Sequence, residues 1–410
     1  MNNRFDTIIL LVGTNPLPNF VVLNYFLKTN LNINKIYLIY SEENRQINQS
    51  GTRNYAENIQ TLTKKRYHNR NLQFCFVPLS DVSSPSAINH DLNQHLKNKL
   101  SSLEVHLNYT GGTKVMGIHV YKWLAEYKHS ASFSYLDARN FRIVFDKEKS
   151  FTPDLRCEVI LTIDEIIELH GYIKDKKIYH EDFSKALSCF KELIENDRLK
   201  EFYNAYNRRL FTKGDNLIEK VKDISDELRN SKVKEPLISI FQAMPEEFRL
   251  YDKDGSFKEP TKNKQLKETV RFLDGGWLEQ YVFDMVKKHF SFSNFHIESN
   301  IEIKKPEWGN QKFELDVVLI KGYQLIGISC TTSDRRGLCK SKGFEIFLRT
   351  RQIGGDEAKA ILVTRLDEEQ AKILNSELSI DTGGGESLIV LSERDLREEV
   401  FVDRIKELIK

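Results

Sequence analysis

The sequence predicts an α/β protein in three parts: a Rossmann-like N-terminal domain, a helical middle segment and a C-terminal α/β domain. Three observations carry this reading. Over the first 150 or so residues, continuous apolar runs alternate with helix-like stretches, the pattern of strands covered on both faces by crossover helices. From about residue 160, apolar residues recur at helical spacing amid dense charge, which marks exposed helices. The last 140 residues fall into the order α, β, β, β, α, β.

A chain of 410 residues exceeds one ordinary hydrophobic core. The expected boundaries are 1–155 for the first domain, 156–268 for the helical segment and 269–410 for the last domain. Hydrophobic residues at 40% and charged residues at 29% describe a folded globular protein. With 61 Lys and Arg against 59 Asp and Glu, nucleic-acid contact must come from local basic patches. The five cysteines, Cys75, Cys157, Cys189, Cys330 and Cys339, lack any CxxC pair, which excludes a disulfide framework and a CxxC-type zinc site and fits a reducing, cytoplasmic setting. The apolar run in "MNNRFDTIILLVGTNPLPNF" is too short for a signal segment or a membrane span, and no membrane association is expected.

The strands follow in order. "TIILLVG" (7–13) is closed by a turn, "NFVVLNYFLKTN" reads as a helix, and "KIYLIYS" (35–41) repeats the strand pattern. "LQFCFVPL", "EVHLNYT" and "SFSYLDA" continue the series, with the helix "GTKVMGIHVYKWLAEYKH" between the last two. In the middle, "TIDEIIELHGY" and "DNLIEKVKDISDELRNS" read as helices, with His170 at a helix end. "YDKDGSFKEPTKNKQ" (251–265) has Gly and Pro without periodicity and reads as a linker or exposed loop. "GGWLEQYVFDMVKKHF" then opens the last domain as a helix whose Trp277, Leu278, Tyr281 and Val282 form a buried stripe. A hairpin, a third strand "LIGISC", the basic helix "LCKSKGFEIFLRTRQIGG" and the strand "AKAILVTR" complete the order.

In "LNYTGGTKVMG" a strand passes through Thr-Gly-Gly-Thr-Lys into a helix. Gly111 and Gly112 let the backbone approach a ligand, the helix start offers free N–H groups, and Lys114 adds a cation. The spacing is neither GxGxxG nor GxxxxGK[ST], so phosphate binding and a plain tight turn both account for it. Together with "LLVGTNPLPNF" and "IYS", the string resembles the CARF domain, the sensor of cyclic oligoadenylates in type III CRISPR defence. That resemblance implies a homodimer holding one cyclic RNA, cyclic tetra-adenylate in particular, across its two-fold axis. It also implies a ligand site lined by Gly13, Thr14, Asn15, Ser41, Thr110, Gly111, Gly112, Thr113 and Lys114.

The second motif is "FELDVV" with the following strand. Residues two apart on a strand share a face, so Glu314 pairs with Asp316 and Ser329 with Thr331, while Cys330 points away. Glu279, near the start of the preceding helix, supplies a third carboxylate. Such a set suits Mg²⁺ or Mn²⁺; ordinary acids on a solvated strand face fit the spacing equally. "GGWLEQYVF", "FELDVVLIKG" and "RQIGGDEAKAILVT" resemble the PD-(D/E)XK nuclease domain of CRISPR ancillary nucleases. By that resemblance Glu279 and Asp316 are metal ligands, the third family position falls on Ser329, and the family lysine falls on Thr331. A hydroxyl cannot supply the charge a lysine gives to the phosphate transition state. Lys340 or Lys342, in the basic helix, is the replacement the sequence offers. The other possibilities are a domain that binds nucleic acid through Arg335, Arg336, Lys340 and Lys342 without cutting it, and a merely solvated helix face.

The resemblance thus implies a cytoplasmic, cyclic-oligoadenylate-activated, metal-dependent endonuclease acting on RNA or single-stranded DNA. The alternative is a ring nuclease in which the sensor cleaves its own cyclic tetra-adenylate while the C-terminal domain serves as nucleic-acid binder or scaffold.

Overall fold

The computed structural model describes residues 5–100, 103–147, 150–176, 182–214, 216–306 and 312–410. β1 (Thr7–Val12), β2 (Lys35–Ser41), β3 (Gln73–Leu79), β4 (Val105–Asn108), β5 (Ser132–Asp137) and β6 (Arg142–Phe145) form one sheet in the order β3-β2-β1-β4-β5-β6. The first five strands are parallel and β6 is antiparallel to β5. All six residues of β1 are buried, because helices cover both faces. Ile8, Leu10 and Val12 pack in one apolar layer with α1 (Leu17–Thr29) and α2 (Arg53–Arg66). Ile9 and Leu11 pack in another with α3 (Pro85–His95) and α4 (Lys114–Tyr127). The strand order reverses between β1 and β4, which opens a crevice at their carboxyl ends.

The middle segment contains α5 (Leu155–Glu158), α6 (Ile163–Leu169), β7 (Ile173–Lys176), α7 (Ser184–Glu195), α8 (Leu199–Ala205), the short ribbon β8 (Thr212–Lys213) and β9 (Asn216–Leu217), α9 (Asp226–Arg229), α10 (Leu237–Ala243) and α11 (Asn263–Arg271). Two expectations are corrected here. "DNLIEKVKDISDELRNS" is not one helix: it holds β9, a 3-10 turn at Val221–Asp223 and the one-turn α9. Residues 251–265 are not a free linker, because Tyr251 is fully buried and bridges Phe257, while Lys232 bridges Ser256. α11 continues through a π-helical turn, Phe272–Gly276, into α12 (Trp277–Phe290). Trp277, Leu278, Tyr281 and Val282 are all buried, as the sequence predicts.

The second sheet has the order β14-β13-β12-β11-β10-β7, with β10 (Phe295–Lys304), β11 (Lys312–Lys321), β12 (Gln324–Cys330), β13 (Lys359–Val363) and β14 (Leu388–Leu391). β7 comes from the segment expected to be helical and pairs antiparallel with β10. The loop of the β10–β11 hairpin, at 307–311, lies outside the described residues. α13 (Arg336–Gly354) and α14 (Glu368–Thr382) pack on one face. α12 and α15 (Glu398–Leu408) pack on the other.

The two sheets are joined rather than strung. The apolar layer beneath α1 and α2 runs through Ile163, Ile166 and Ile167 of α6 into Ile301, Ile303, Phe313 and Leu315 of the second sheet. At the same junction the guanidinium of Arg156, 6% exposed, pairs with Asp154 at 2.7 Å and stacks 3.9 Å from the ring centroid of Phe141. It also donates to Gln324 Oε1 at 3.0 Å and to the carbonyls of Ile409 and Lys410 at 3.3 and 3.1 Å. Arg156→Ala removes the ion pair to Asp154 and the donor to Gln324 Oε1 and the Lys410 carbonyl, and is expected to destabilise the protein by about 2–4 kcal/mol. Thermal melts of the variant check this; an unchanged midpoint would contradict the role assigned to the clamp.

Candidate functional site

At the crevice of the first sheet the β1–α1 and β4–α4 loops meet backbone to backbone. A Cβ on Gly13 would stand 3.0 Å from Gly112 N, and one on Gly111 would stand 2.0 Å from Leu11 O, so both positions require glycine. Gly112 has φ +74°, which lets the chain turn into α4. Thr113 caps that helix by accepting the Met116 N–H at 3.1 Å, and Lys114 is its first residue. Two cavities flank the loop. Gly13, Thr14, Ser41, Gly112 and Thr113 line one of about 350 Å³. Thr110 to Lys114 line a more open one of about 700 Å³, with Tyr109, Tyr121 and Lys122.

Several hydroxyls of the expected site are spent on building it. Thr110 Oγ1 donates to Asn108 Oδ1 at 2.6 Å and accepts the Leu136 N–H at 2.7 Å. Ser41 Oγ donates to Ser50 O at 2.8 Å. Thr14, Thr113 and Lys114 are exposed. Asn15 lines neither cavity; its Oδ1 accepts the Leu17 N–H at 3.1 Å and lies 3.3 Å from His170 Nε2. His170 sits at the end of α6, as expected, but is buried, and burial lowers its imidazole to about 4. Sequence reading missed Asn19, Thr52 and Asn108, which hold these loops from below. Asn19, set among the apolar residues of "LPNFVVL", is a signal that could have found the first.

The second candidate lies where β11, β12 and α12 converge. Ser299 pairs with Val317 and Ile301 with Leu315; between them Asn300, at φ +55°, stands across from Asp316. Leu315 belongs to the layer shared with α6, whereas Val317 belongs to the layer under α12, so β11 turns its face at Asp316. There the carboxylate accepts the Ser329 hydroxyl at 3.1 Å and the Cys330 backbone N–H at 2.7 Å. Burial pushes its carboxyl up, and the Glu314 charge adds to this; the two hydrogen bonds and Lys342 act against it. The Cys330 side chain packs against the α12 layer, but it does not point clear of the site as its alternation predicts. Its thiol is raised well above the ordinary value by burial and then by the charges of Asp316 and Glu279.

The remaining candidates separate. Thr331 N–H donates to Val363 O at 2.9 Å and its hydroxyl accepts the Ser333 N–H at 3.2 Å, so it terminates the strand. Lys340 is turned to α14, paired with Glu377 at 3.2 Å and Asp381 at 2.9 Å. Arg336 also reaches Glu377, at 3.5 Å. Lys342 pairs with Glu345 at 3.1 Å; burial works against its charge, yet Glu345, Asp316 and Glu314 together hold the ammonium above its ordinary value. Among the described residues no three His, Cys, Asp or Glu side chains converge as a complete metal cluster. The desolvated, mutually repelling carboxylates still fit a hard divalent cation, since Mg²⁺ is commonly held by one or two carboxylates with substrate phosphate and water completing the shell.

Among the described residues no helix is long and apolar enough to cross a membrane. Residues 7–166 match the family model of the Card1 CARF domain. Residues 266–393 match that of the Card1-like endonuclease domain. No curated protein sequence matches the chain significantly. Among solved structures, Can2 from Sulfobacillus thermosulfidooxidans in complex with cyclic tetra-adenylate is 15% identical, with a TM-score of 0.64 over 97% of this chain and 98% of that one. Protein VC1899 from Vibrio cholerae is 15% identical, with a TM-score of 0.66 over 98% of each chain. A type III CRISPR defence DNA nuclease activated by cyclic oligoadenylate is 14% identical, with a TM-score of 0.50 over 89% of this chain and 46% of that one. At these identities the structural likeness is one of fold, and the two family models carry the assignment: the chain belongs to the family that joins a Card1 CARF domain to a Card1-like endonuclease domain, and it is a nuclease.

Proposed function

We propose that the chain is a type III CRISPR effector in which cyclic tetra-adenylate, held between the CARF domains of a homodimer, switches on a metal-dependent cut in RNA or single-stranded DNA. The observation that carries this is the placement of Asp316, a half-buried carboxylate on β11 held by the Ser329 hydroxyl and the Cys330 N–H, in a chain whose other domain ends in a glycine-built crevice. We divide it at residues 155 and 268, with β7 lent by the middle segment to the nuclease sheet. The C-terminal fold is of the PD-(D/E)XK kind in this reading.

Each residue then has a task. Backbone N–H groups of the Gly111–Gly112 turn and the cation of Lys114 face ligand phosphates. In the nuclease domain a divalent ion supplies Lewis acidity and neutralises phosphate charge. Asp316 and Glu279 hold the ion, and the Cys330 N–H and Ser329 hydroxyl fix the Asp316 carboxylate. Lys342 brings the cation that Thr331 lacks, by a long stem from the next helix. α13 is the connection between the sites. It spans about 28 Å, carries Lys342 in its second turn, and ends at Gly355, where a Cβ would stand 2.4 Å from Asn15 Nδ2. Asn15 lies between His170, whose Nε2 is 3.3 Å from its Oδ1, and that end of α13, so a ligand that prefers one position of the β1–α1 loop biases the helix as well.

Two measurements test this reading. Purified protein incubated with cyclic tetra-adenylate, Mn²⁺ and labelled RNA and single-stranded DNA should cut only with activator and without EDTA. Asp316→Ala should abolish cutting while leaving activator binding intact, and Lys342→Ala should cost ~10²–10³-fold. Lys340→Ala should cut like the wild type. Activator loss without target cutting, in EDTA, would favour the ring-nuclease alternative.

The second measurement is stability against pH. Because folding raises the Asp316 carboxyl, the buried charge costs stability above the raised value and nothing below the ordinary aspartate value. Asp316→Asn should therefore raise the melting temperature at about pH 8 by roughly 2–4 °C, the effect of ~1 kcal/mol in a domain of this size, and leave it unchanged at about pH 4. Mn²⁺ should stabilise the wild type at the higher pH and not the variant. Equal stabilisation of both would remove Asp316 from the metal site.

A further inference from the structure

A cavity of about 200 Å³ opens beside Glu279, between the α11–α12 bend and β10. It is small beside the ~300–1,000 Å³ of pockets that take drug-sized ligands, so it suits a single ring system. Its apolar walls are Phe183 and Phe283, and its polar lining includes Gln280, Asp284 and Asn300. Asn300 is the unusual member. It is a non-glycine residue at φ +55° in the middle of a strand, its Nδ2 reaches Ser299 Oγ only at 3.5 Å, and its buried Oδ1 has no hydrogen-bond partner. Strained backbone and an orphaned polar atom each cost free energy, and both are commonly kept where a ligand is read. Asp284 adds a carboxyl-bearing side chain to the same lining. Across the strand pair from Asn300 stands Asp316, so the cavity and the candidate cutting site share a wall.

We propose that this cavity takes one unstacked base of a single-stranded substrate next to the cut, and that Asn300 and Gln280 set which base is accepted. The aromatic walls suit a flat π-face. The two acceptors, Asn300 Oδ1 and the Asp284 carboxylate, match the paired N–H donors of an exocyclic amino group, as on adenine, cytosine or guanine, whereas thymine and uracil offer a single N–H, at N3, between two carbonyl acceptors. A stacked duplex cannot present a base there without flipping it out, so the same cavity makes single strands the better substrate. This inference rests on the nuclease reading above.

The test is sequencing of the ends produced from randomised single-stranded RNA and DNA pools by activated wild type, Asn300→Gly and Gln280→Ala. Glycine keeps the positive φ that position 300 requires, and Gln280 is half-exposed on its helix, so each variant tests the pocket by a different route. Each amino-bearing base should be preferred about fivefold over thymine or uracil at one fixed position from the wild-type cut, the effect of about 1 kcal/mol of hydrogen bonding, and the preference should fall in both variants. Ends with no bias, a bias toward thymine or uracil, or a bias unchanged in both variants would overturn the pocket while leaving the nuclease standing. No ends from the wild type would overturn the nuclease reading and the pocket with it.

Discussion

Everything in the molecule depends on the fixed junction between its two sheets. The layer under α1 and α2 does not end at the sensor but continues through α6 into the hairpin half of the nuclease sheet, and Arg156 locks the same seam with its buried guanidinium. Sliding the domains apart would expose that apolar layer to water, at ~25 cal/mol per Å². The Leu161 N–H donates to Gly322 O at 2.8 Å, and Gly322, at φ +63°, leaves no room for a Cβ, which would stand 2.3 Å from Arg156 O. The β11–β12 turn is thus fastened to the end of the sensor. Motion between the domains has to run along packed elements, and α13 links β12, which carries Ser329, to the loop that carries Asn15.

The fold was legible wherever an element buries its own apolar run. β1, β2 and the α12 stripe stand where the periodicity puts them. Elements stabilised by a distant partner were not legible. β7, "IKDK", has no strand signal of its own and exists because β10 offers an unpaired edge. "DNLIEKVKDISDELRNS" has helical spacing on paper, yet Ile218, Ile224 and Leu228 each reach the core from a different local conformation. Tyr251 and Gly255 look like loop residues, but the ring is buried and Gly255 packs its Cα against Val233 O.

The candidate sites divide in the same way. The glycines of the sensor loop announce themselves, because close backbone approach leaves only one residue type. Asp316 was found by its neighbours in sequence, but its environment was not: the turn of β11 at this residue depends on the φ of Asn300, and the Cys330 N–H that holds it is a backbone group that no side-chain pattern reveals. Lys340 and Lys342 are equivalent in sequence. What separates them is Glu377 and Asp381, on a helix two elements further along. Asn15 likewise looks like a ligand contact until His170, 155 residues away, is folded against it.

In the proposed reading, the cations around the nuclease strand ends explain why the site needs both metal and activator. Lys342 is paired with Glu345, Arg365 with Glu393, Arg208 with Asp274, and Arg336 and Lys340 with α14. Each of these five charges already has a local carboxylate, in a chain whose formal charge is only +2. A nucleic-acid backbone approaching this surface must compete with those pairs, so the resting protein offers little long-range attraction. In the proposed reading, positive charge at the scissile phosphate then comes from an ion at Asp316 and from Lys342. Lys342 stands on α13, which packs on β12 and β13, and the far end of that helix lies against Asn15 of the β1–α1 loop. Control of the cut by the sensor follows from where the charges are neutralised as much as from where the acids are placed.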